Sequence, residues 1–552
     1  MKKHKGKILV LFLAVLLVSV MSCENSFLKK MLVEEEKGNT VPQVPKHGVT
    51  FSVEGGHGTL KAEVDGKEIN SGDSVEQGKS VVFTAEPSEG YVLEQWTNAS
   101  LAITEAGTDK TYTHTVTAAV DIKVSFDAPF VEGGASLILS PDELHITVEV
   151  TTADNSPITV EGCTETTFPS GARTVLHAKG TRVILKGKIT ELNCGDYDDH
   201  GVWNKLAALN VQGLSSLQEL YCGRNLLSTL NIQGLTALKR LNCWGNQLTE
   251  LNVQGLTALE ELSCHGNQLT ALNVQGLTAL KNLGCIRNQL TALDVQGLTA
   301  LQSLDCRDNQ LTALNVQGLT ALKWLSCMGN QLTELNVQGL TALQGLYCWD
   351  SQLTELNAQG CTALQILYLD GNQLTALNAQ GCTALQMLNC YNNRLTALNV
   401  QGCTALRWLS CWDNQLTELN VQGLTALERL SCWDNQLTSL NVQGLTALER
   451  LYCWNNQLTA LNVQGLNALR ELNCWGNQLN ADAFKKLFDD LPVRADSDDS
   501  RCGLYTELSG VTEGNHTDFT APQDLADAFN NAKTVKKWKM YKRDGSGNSV
   551  EI

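Results

Sequence analysis

A repeat of 21 residues constrains the fold of this chain more than any other feature of its sequence. Thirteen copies follow one another between residues 217 and 479, each beginning with a leucine, and an irregular copy with Leu192 and Cys194 precedes them. One copy buries too little apolar surface to fold alone. Neighbouring copies must therefore stack and share one continuous core, so about half of the chain is a single repeat domain.

The pattern L-x-x-L-x-C-x-x-N-x-L at this spacing resembles the leucine-rich repeat. The resemblance implies one short parallel strand per copy. Because side chains alternate along a strand, Leu262 and Cys264 are expected to point inward, and Glu261, Ser263 and His265 outward. So short a repeat leaves little room for a helix on the other side, where we expect extended or 3₁₀ segments. The predicted fold class is a β-rich solenoid with a parallel sheet.

Cysteine occupies one position of the repeat in twelve copies, which resembles the cysteine-ladder internalins. Adjacent copies would place Cα atoms about 4.8 Å apart, which permits a disulfide by that distance alone. In-register side chains, however, keep Cβ atoms farther apart than the roughly 3.8 Å of a bridge. We therefore predict free, buried thiols that pack as small apolar groups. The cysteines are Cys222, Cys243, Cys264, Cys285, Cys306, Cys327, Cys348, Cys390, Cys411, Cys432, Cys453 and Cys474.

Asparagine forms a second column, and its amide is expected to satisfy backbone groups where each strand ends. Ser351 interrupts this column, so a buried backbone group is expected to lose its partner there. Residues 343–405 also carry other exceptions, and we expect a softer stretch there: Leu369 replaces a cysteine, Ala358 and Ala379 replace valine, and Cys361, Cys382 and Cys403 replace leucine. The asparagines are Asn225, Asn246, Asn267, Asn288, Asn309, Asn330, Asn372, Asn393, Asn414, Asn435, Asn456 and Asn477.

The outward strand positions differ between copies, and many of them are aromatic. A large exposed aromatic surface usually marks a binding site, and tryptophan and tyrosine give contact area at low entropic cost. Two alternatives remain open: recent duplication copied the rings without selection for each, or stacked rings stabilise the sheet. The candidate ligand-binding residues are Trp244, Trp324, Tyr347, Trp349, Tyr368, Tyr391, Trp408, Trp412, Trp433, Tyr452, Trp454 and Trp475.

The first 22 residues are predicted to be a targeting segment. Four lysines precede an apolar run over residues 8–21, which is too short to cross a bilayer comfortably but fits a signal sequence. The residues Val20 to Cys23 resemble the lipobox of bacterial lipoproteins, which implies lipidation of Cys23. An ordinary secretory signal with a chance cysteine is the alternative. Residues 23–48 are predicted to be a tether to the bacterial outer membrane or cell surface.

Residues 49–128 alternate apolar and polar side chains between Gly and Pro turn signals, which predicts a small all-β module. The stretch 58–66, together with Gly90, Tyr91 and Trp96, resembles the internalin B-repeat of bacterial surface proteins. That family implies a stalk or spacer, and Trp96 is expected to pack in its core.

Open solenoid ends expose core, so capping segments are expected on both sides of the predicted solenoid at 189–479. Residues 129–188 hold strand-like runs and predict an N-terminal β cap. Residues 480–552 predict an α/β cap with helices over 481–492 and 525–532 and a final strand over 535–541.

The formal net charge of −17 argues against nucleic acid as the partner, because phosphate binding needs a basic face. No catalytic motif is present, so no enzyme activity, cofactor or metal is expected. The acidic loop 195–203 and the group Asp496, Asp498 and Asp499 are interpreted as solvated surface. The resemblances imply a lipid-anchored, adhesin-type surface protein that binds a protein ligand through the aromatic face. The alternatives are a carbohydrate-capture module and a structural, self-associating surface component.

Overall fold

The computed structural model describes residues 43–54, 56–88, 91–99, 101–195 and 204–552. The predicted signal segment, Cys23, most of the tether and most of the acidic loop 195–203 lie outside these residues. The described chain divides into two units after Phe126. No helix within the described ranges is long and apolar enough to cross a bilayer.

The unit that ends at Phe126 is all-β, as predicted. In one strand the side chains of Val81, Phe83 and Ala85 are buried while the residues between them are at least partly exposed, because alternate side chains point to opposite faces. Trp96 is fully buried and donates its Nε1–H to the Asp109 carbonyl at 2.9 Å, so it is a core residue as expected. The strands are β1 (Lys46–Glu54), β2 (Gly58–Val64), β3 (Lys67–Ile69), β4 (Ser74–Glu76), β5 (Ser80–Pro87), β6 (Val92–Asn98), β7 (Leu101–Ala102), β8 (Thr111–Thr115) and β9 (Val120–Asp127).

These strands form two sheets, with the orders β4-β1-β9-β6-β7 and β3-β2-β5-β8. Most of the pairings are antiparallel, but β1 and β9 run parallel.

The second unit begins with strands that close the open end of the solenoid. Ile146, Val148 and Val150 belong to the same apolar cluster as Leu192 of the first coil, so the leucine core continues into the cap. The strands are β10 (Gly134–Leu139), β11 (His145–Thr152), β12 (Ile158–Glu161), β13 (Thr167–Phe168), β14 (Thr174–His177), β15 (Arg182–Lys186), β16 (Ile189–Asn193) and β17 (Leu206–Asn210).

Each solenoid coil then contributes one three-residue strand to a parallel sheet. The register is in phase with the repeat, so Leu262 lies beside Leu283 and Leu241. The strands are β18 (Glu219–Tyr221), β19 (Arg240–Asn242), β20 (Glu261–Ser263), β21 (Asn282–Gly284), β22 (Ser303–Asp305), β23 (Trp324–Ser326), β25 (Gly345–Tyr347), β27 (Ile366–Tyr368), β29 (Met387–Asn389), β31 (Trp408–Ser410), β32 (Arg429–Ser431), β33 (Arg450–Tyr452) and β34 (Glu471–Asn473).

The opposite side of the solenoid is extended and turn-rich. Of the two conformations expected there, extended or 3₁₀, the structure shows the extended one. Among the described coils none has a helix or a 3₁₀ segment on this side. The glycine of each Q-G turn from Gly234 to Gly465 has a positive φ, as in Gly276 at 83°, a conformation that glycine adopts without a steric penalty. Four coils form a second parallel sheet here, with strands β24 (Glu334–Asn336), β26 (Glu355–Asn357), β28 (Ala376–Asn378) and β30 (Ala397–Asn399).

Leucine and cysteine side chains fill the space between the two sides. All eighteen cysteines of the described chain are buried and free, which confirms the prediction of unpaired thiols. Burial disfavours the charged thiolate, and it raises the pKa of Cys194, Cys243 and Cys411 to about 12. The cysteine column is thus a set of neutral, apolar core groups.

The asparagine column joins each coil to the coil before it. Asn267 donates through Nδ2 to the carbonyls of Cys243 and Cys264, each at 3.1 Å, and its Oδ1 accepts the Leu248 amide at 3.0 Å. Asn204 and Asn515 make corresponding bonds to the two caps. Asn515 lies outside the repeat, and the sequence pattern does not indicate its role.

Ser351 breaks this column in the manner expected. In the other coils the equivalent leucine amide is bonded to asparagine, as Leu353 is to Asn372 at 3.0 Å. Among the described residues the Leu332 amide has no such bond, and the Ser351 hydroxyl instead lies 3.9 Å from the Cys348 thiol.

The thiols of the three exceptional cysteines in the 343–405 stretch lie within hydrogen-bonding distance of backbone carbonyls. Cys361 reaches Val337 at 3.5 Å, and Cys382 and Cys403 reach Ala358 and Ala379 at 3.2 Å. The softness of this stretch stays a prediction.

The C-terminal end is α/β, as predicted, and it extends the main sheet. Helix α1 is Ala481–Asp490, with Asn480 accepting the Ala483 amide as its N-cap, and α2 is Gln523–Thr534. The strand predicted over 535–541 begins only at Lys539, because the chain continues the last helical turn through Val535. It is also not the final strand as predicted, because Ser549–Glu551 follows and pairs with it. The strands are β35 (Arg501–Thr506), β36 (Lys539–Arg543) and β37 (Ser549–Glu551).

The acidic group in this end is solvated and paired with basic residues. Asp496 and Asp499 form ion pairs with Lys537 and Lys539 at 3.7 and 2.6 Å. This pairing agrees with the interpretation of the group as surface.

Ser351→Asn is expected to raise the free energy of unfolding by about 1 kcal/mol, because the new amide supplies the missing acceptor for Leu332. Asn435→Ala is the matched opposite change. It removes the acceptor of the Leu416 amide and is expected to lower the free energy of unfolding by about 1–3 kcal/mol. Urea unfolding measures both, with the exposed Gln436→Ala as control. Destabilisation by Ser351→Asn would contradict the role given to the column.

Candidate functional site

The outward side chains of the main-sheet strands between β18 and β34, and of the residue two positions after each of these strands, form one surface, the sheet face. All twelve candidate residues lie on it, but the structure divides them into groups with different surroundings. A column of stacked rings, the aromatic stack, contains Tyr391, Trp412, Trp433, Trp454 and Trp475. The other candidates lie as a cluster around Trp349, as single rings, or, for Tyr452, beside the stack. Their role in ligand binding stays a prediction.

The rings of the aromatic stack lie face to face. The centroids of Tyr391 and Trp412 are 4.1 Å apart, those of Trp412 and Trp433 4.1 Å, and those of Trp433 and Trp454 4.7 Å, with interplanar angles of 8° to 17°. Identical positions on parallel strands recur about every 4.8 Å, so the sheet itself sets this spacing. Both faces of the inner rings are covered by neighbouring rings.

Trp475, at the end of the stack, is buried. The sequence pattern predicted that it faces solvent, and that prediction is wrong. Only 7% of its surface is exposed. Strands β35 and β36 continue the sheet past it, and the Arg543 guanidinium lies 5.8 Å from its ring. The C-terminal cap therefore covers a residue that the repeat pattern places on the open face.

Tyr347, Trp349 and Tyr368 form a second group, the aromatic cluster, in which the rings meet at steep angles. Tyr347 lies edge-on to Tyr368 at 5.5 Å and 89°, and to Trp349 at 6.0 Å and 77°. The Tyr368 hydroxyl donates to the Met387 sulfur at 3.3 Å. Burial raises the pKa of the Tyr347 and Tyr368 hydroxyls, so both rings stay neutral. Edge-on packing leaves these ring faces less covered than those of the stack.

Trp244 lies across a glycine of the preceding coil, and Trp324 lies across a glycine of the following coil. A Cβ added at Gly223 would come within 2.4 Å of Trp244, and one added at Gly345 within 2.5 Å of Trp324. Each glycine therefore makes room for an indole on the sheet face.

Arginines cover one side of two indoles. The Arg429 guanidinium lies 4.9 Å from the Trp408 ring, and the Arg224 guanidinium 4.6 Å from the Trp244 ring. Trp324 and Trp408 are the most exposed tryptophans of the described chain, at 38% each.

The aspartates that follow three of the tryptophans have a structural role. Asp350, Asp413 and Asp434 have φ values of 49° to 52°, in the left-handed region that aspartate, asparagine and glycine tolerate best. Other coils place glycine at this position, as in Gly245 with a φ of 64°. Asp434 also accepts a hydrogen bond from Asn455 Nδ2 at 2.6 Å. The turn thus accounts for the frequency of Asp and Gly at this position, although Arg224 and Arg287 also occupy it, each with a φ of 51°.

Two concave regions were not predicted from the sequence. A pocket of about 640 Å³ lies on the sheet face of the first coils, where the small residues Ser263, Gly284 and Ser303 leave space. His265 lies over Gly284 in this pocket and accepts the Ile286 amide at 3.2 Å, and burial lowers its pKa. A longer groove of about 1440 Å³ runs along the opposite side of the solenoid, past Glu355.

The sequence signal for both regions is a change of residue size or charge at one repeat position. Such a change does not indicate how deep the resulting space is.

Residues 49–129 match the family model of the divergent InlB B-repeat domain. No curated protein matches the chain. Among solved structures, the functional domain of InlJ from Listeria monocytogenes, which includes a cysteine ladder, is 27% identical, with 58% of this chain and 74% of that chain covered and a TM-score of 0.43. YopM from Yersinia enterocolitica WA-314 is 26% identical, with coverages of 48% and 61% and a TM-score of 0.42.

A leucine-rich-repeat protein of Leptospira interrogans is 24% identical to this chain, with coverages of 59% and 84% and a TM-score of 0.42.

The 21-residue coils, the in-register sheet and the column of buried cysteines define the class of this chain. It is a leucine-rich-repeat solenoid with a cysteine ladder, a feature that the InlJ domain also has, and it follows a module that matches the InlB B-repeat model.

Trp433→Ala is expected to lower the free energy of unfolding by about 2 kcal/mol, because it removes a ring stacked on both sides. Trp408→Ala is the matched change at an exposed ring and is expected to alter it by about 0.5 kcal/mol. Urea unfolding followed by circular dichroism compares the two. Equal effects would contradict the assignment of the aromatic stack to sheet stability.

Proposed function

We propose that this protein is a lipid-anchored bacterial surface protein that binds a protein ligand through its sheet face. The observation that carries the proposal is the contrast within the chain's own repeats. Core and turn positions are nearly constant, while the outward strand positions change from coil to coil, for example from Trp324 to Gly345 to Ile366. A constant frame with a varied surface is what recognition of one particular partner requires.

The residue types on this face favour a protein ligand. Tryptophan, tyrosine and arginine are enriched among the residues that carry binding energy in protein interfaces. Trp408 and Arg429 lie side by side on adjacent strands, and the aromatic cluster lies two to four coils before them. We assign the binding contacts to Trp324, Trp408 and the aromatic cluster, and the aromatic stack to sheet stability.

Carbohydrate capture is the weaker alternative, because a sugar ring stacks on the face of an aromatic ring. Ring centroids 4.1 to 4.7 Å apart leave no space for a sugar between Tyr391, Trp412, Trp433 and Trp454. The edges of these rings remain available to a polypeptide. The uncovered sides of Trp324 and Trp408 are the places where a sugar would have to bind.

The test uses an array of extracellular proteins and a glycan array, both probed with the purified chain. The double variant Trp324→Ala/Trp408→Ala is expected to weaken binding to a protein ligand by more than about 30-fold, since such residues contribute about 2 kcal/mol or more at an interface. Its melting temperature should change little, because both rings are exposed. Glu355→Ala, on the opposite side of the solenoid, is the control.

Binding to glycans alone would overturn the protein-ligand proposal. Loss of protein binding in the Glu355→Ala control, with the double variant unaffected, would move the site to the opposite groove.

The lipid anchor is supported by the lipobox-like residues before Cys23. Cys23→Ser is expected to move the protein from the membrane fraction to the soluble fraction and to abolish labelling with a fatty acid, because the acyl chains are attached through this cysteine. Ser26→Ala is the matched control. A Cys23→Ser variant that stays in the membrane fraction would contradict lipid anchoring.

A further inference from the structure

Two histidines lie directly opposite each other in the N-terminal cap. His145 begins β11 and His177 ends β14, and the antiparallel register pairs them. Their neighbours Ile146 and Leu176 are buried, so both imidazoles project from the solvent side of the strands. The two residues are far apart in the sequence, and only strand pairing brings them together.

Each imidazole has a glutamate on the same ring nitrogen. His177 Nδ1 lies 2.7 Å from Glu165 Oε1, and His145 Nδ1 lies 3.5 Å from Glu143 Oε1. The Glu165 carboxylate accepts the hydrogen bond of His177 Nδ1–H and so fixes the tautomer that leaves the Nε2 lone pair of His177 free. This is the arrangement by which proteins orient histidines that bind metal ions through Nε2. The contact of His145 with Glu143 is too long to fix its tautomer in the same way.

The separation of the two rings also suits one shared ion. Their centroids are 5.1 Å apart and their planes are inclined by 87°. Metal–nitrogen distances of about 2.0–2.1 Å in a tetrahedral site place the centroids of two imidazole ligands about 5 Å apart. The observed separation of the rings is therefore compatible with two imidazoles on one ion.

We propose that His145 and His177 bind a divalent transition-metal ion of the Zn²⁺, Ni²⁺ or Cu²⁺ type through their Nε2 atoms. Imidazole suits these ions better than Mg²⁺ or Ca²⁺, which prefer oxygen. Among the described residues no group of three or more His, Cys, Asp or Glu side chains is arranged to hold a metal. The pair therefore supplies two ligands, and water or a second molecule supplies the others.

Calorimetric titration of the purified full-length chain with ZnCl₂, and with MgCl₂ for comparison, tests the proposal. Zn²⁺ is expected to bind and Mg²⁺ is not. His145→Ala/His177→Ala is expected to abolish Zn²⁺ binding, and Glu165→Gln to weaken it by about 10-fold through loss of the carboxylate that orients His177. His516→Ala, at a partly buried histidine of the C-terminal cap, is the control for the loss of an unrelated histidine.

One ion per chain, or one ion per two chains, supports the proposal if the double variant removes it. A ratio of one ion per two chains identifies a second copy of the chain as the source of the other metal ligands. Zn²⁺ binding that persists in the double variant would overturn the proposal, as would the absence of Zn²⁺ binding to the unaltered chain. Circular dichroism checks that the double variant is folded.

Discussion

The hydrogen bonds of the buried asparagine column are the interaction on which the rest of the structure depends. Each asparagine bonds the carbonyls of its own coil and also a carbonyl and an amide of the coil before it, as Asn267 does with Cys264, Cys243 and Leu248. Leaving such groups buried without partners costs about 1–3 kcal/mol each. A coil therefore forms at full stability only when its neighbour has formed.

The regular stacking of the coils also determines which aromatic ring faces on the sheet face are accessible to a ligand. Parallel strands in register repeat an outward position about every 4.8 Å, which is close to the separation of stacked rings. Repetition of one aromatic position from Tyr391 to Trp475 consequently covers the ring faces and stabilises the sheet. Ring faces stay accessible where successive coils differ, as at Trp324 beside Gly345. Divergence between copies, and not the number of aromatic residues, creates the candidate binding surface.

The burial and orientation of side chains inside the repeat were predictable, because the 21-residue period gives equivalent positions the same neighbours. The buried free cysteines, the outward strand positions and the defect at Ser351 all follow from the spacing. Features that depend on non-repeating segments were not predictable. The cap that buries Trp475, the continuation of the asparagine column by Asn515, and the pairing of His145 with His177 arise from contacts between residues far apart in the sequence.

Residue-resolved hydrogen exchange of the native chain tests most directly whether the asparagine column couples the coils. Leucine amides bonded to the column, such as Leu248, Leu311 and Leu416, are expected to share high protection along the solenoid. The Leu332 amide, which lacks this bond among the described residues, is expected to exchange fastest of the series. Equal protection of Leu332 and the bonded leucines would contradict the account.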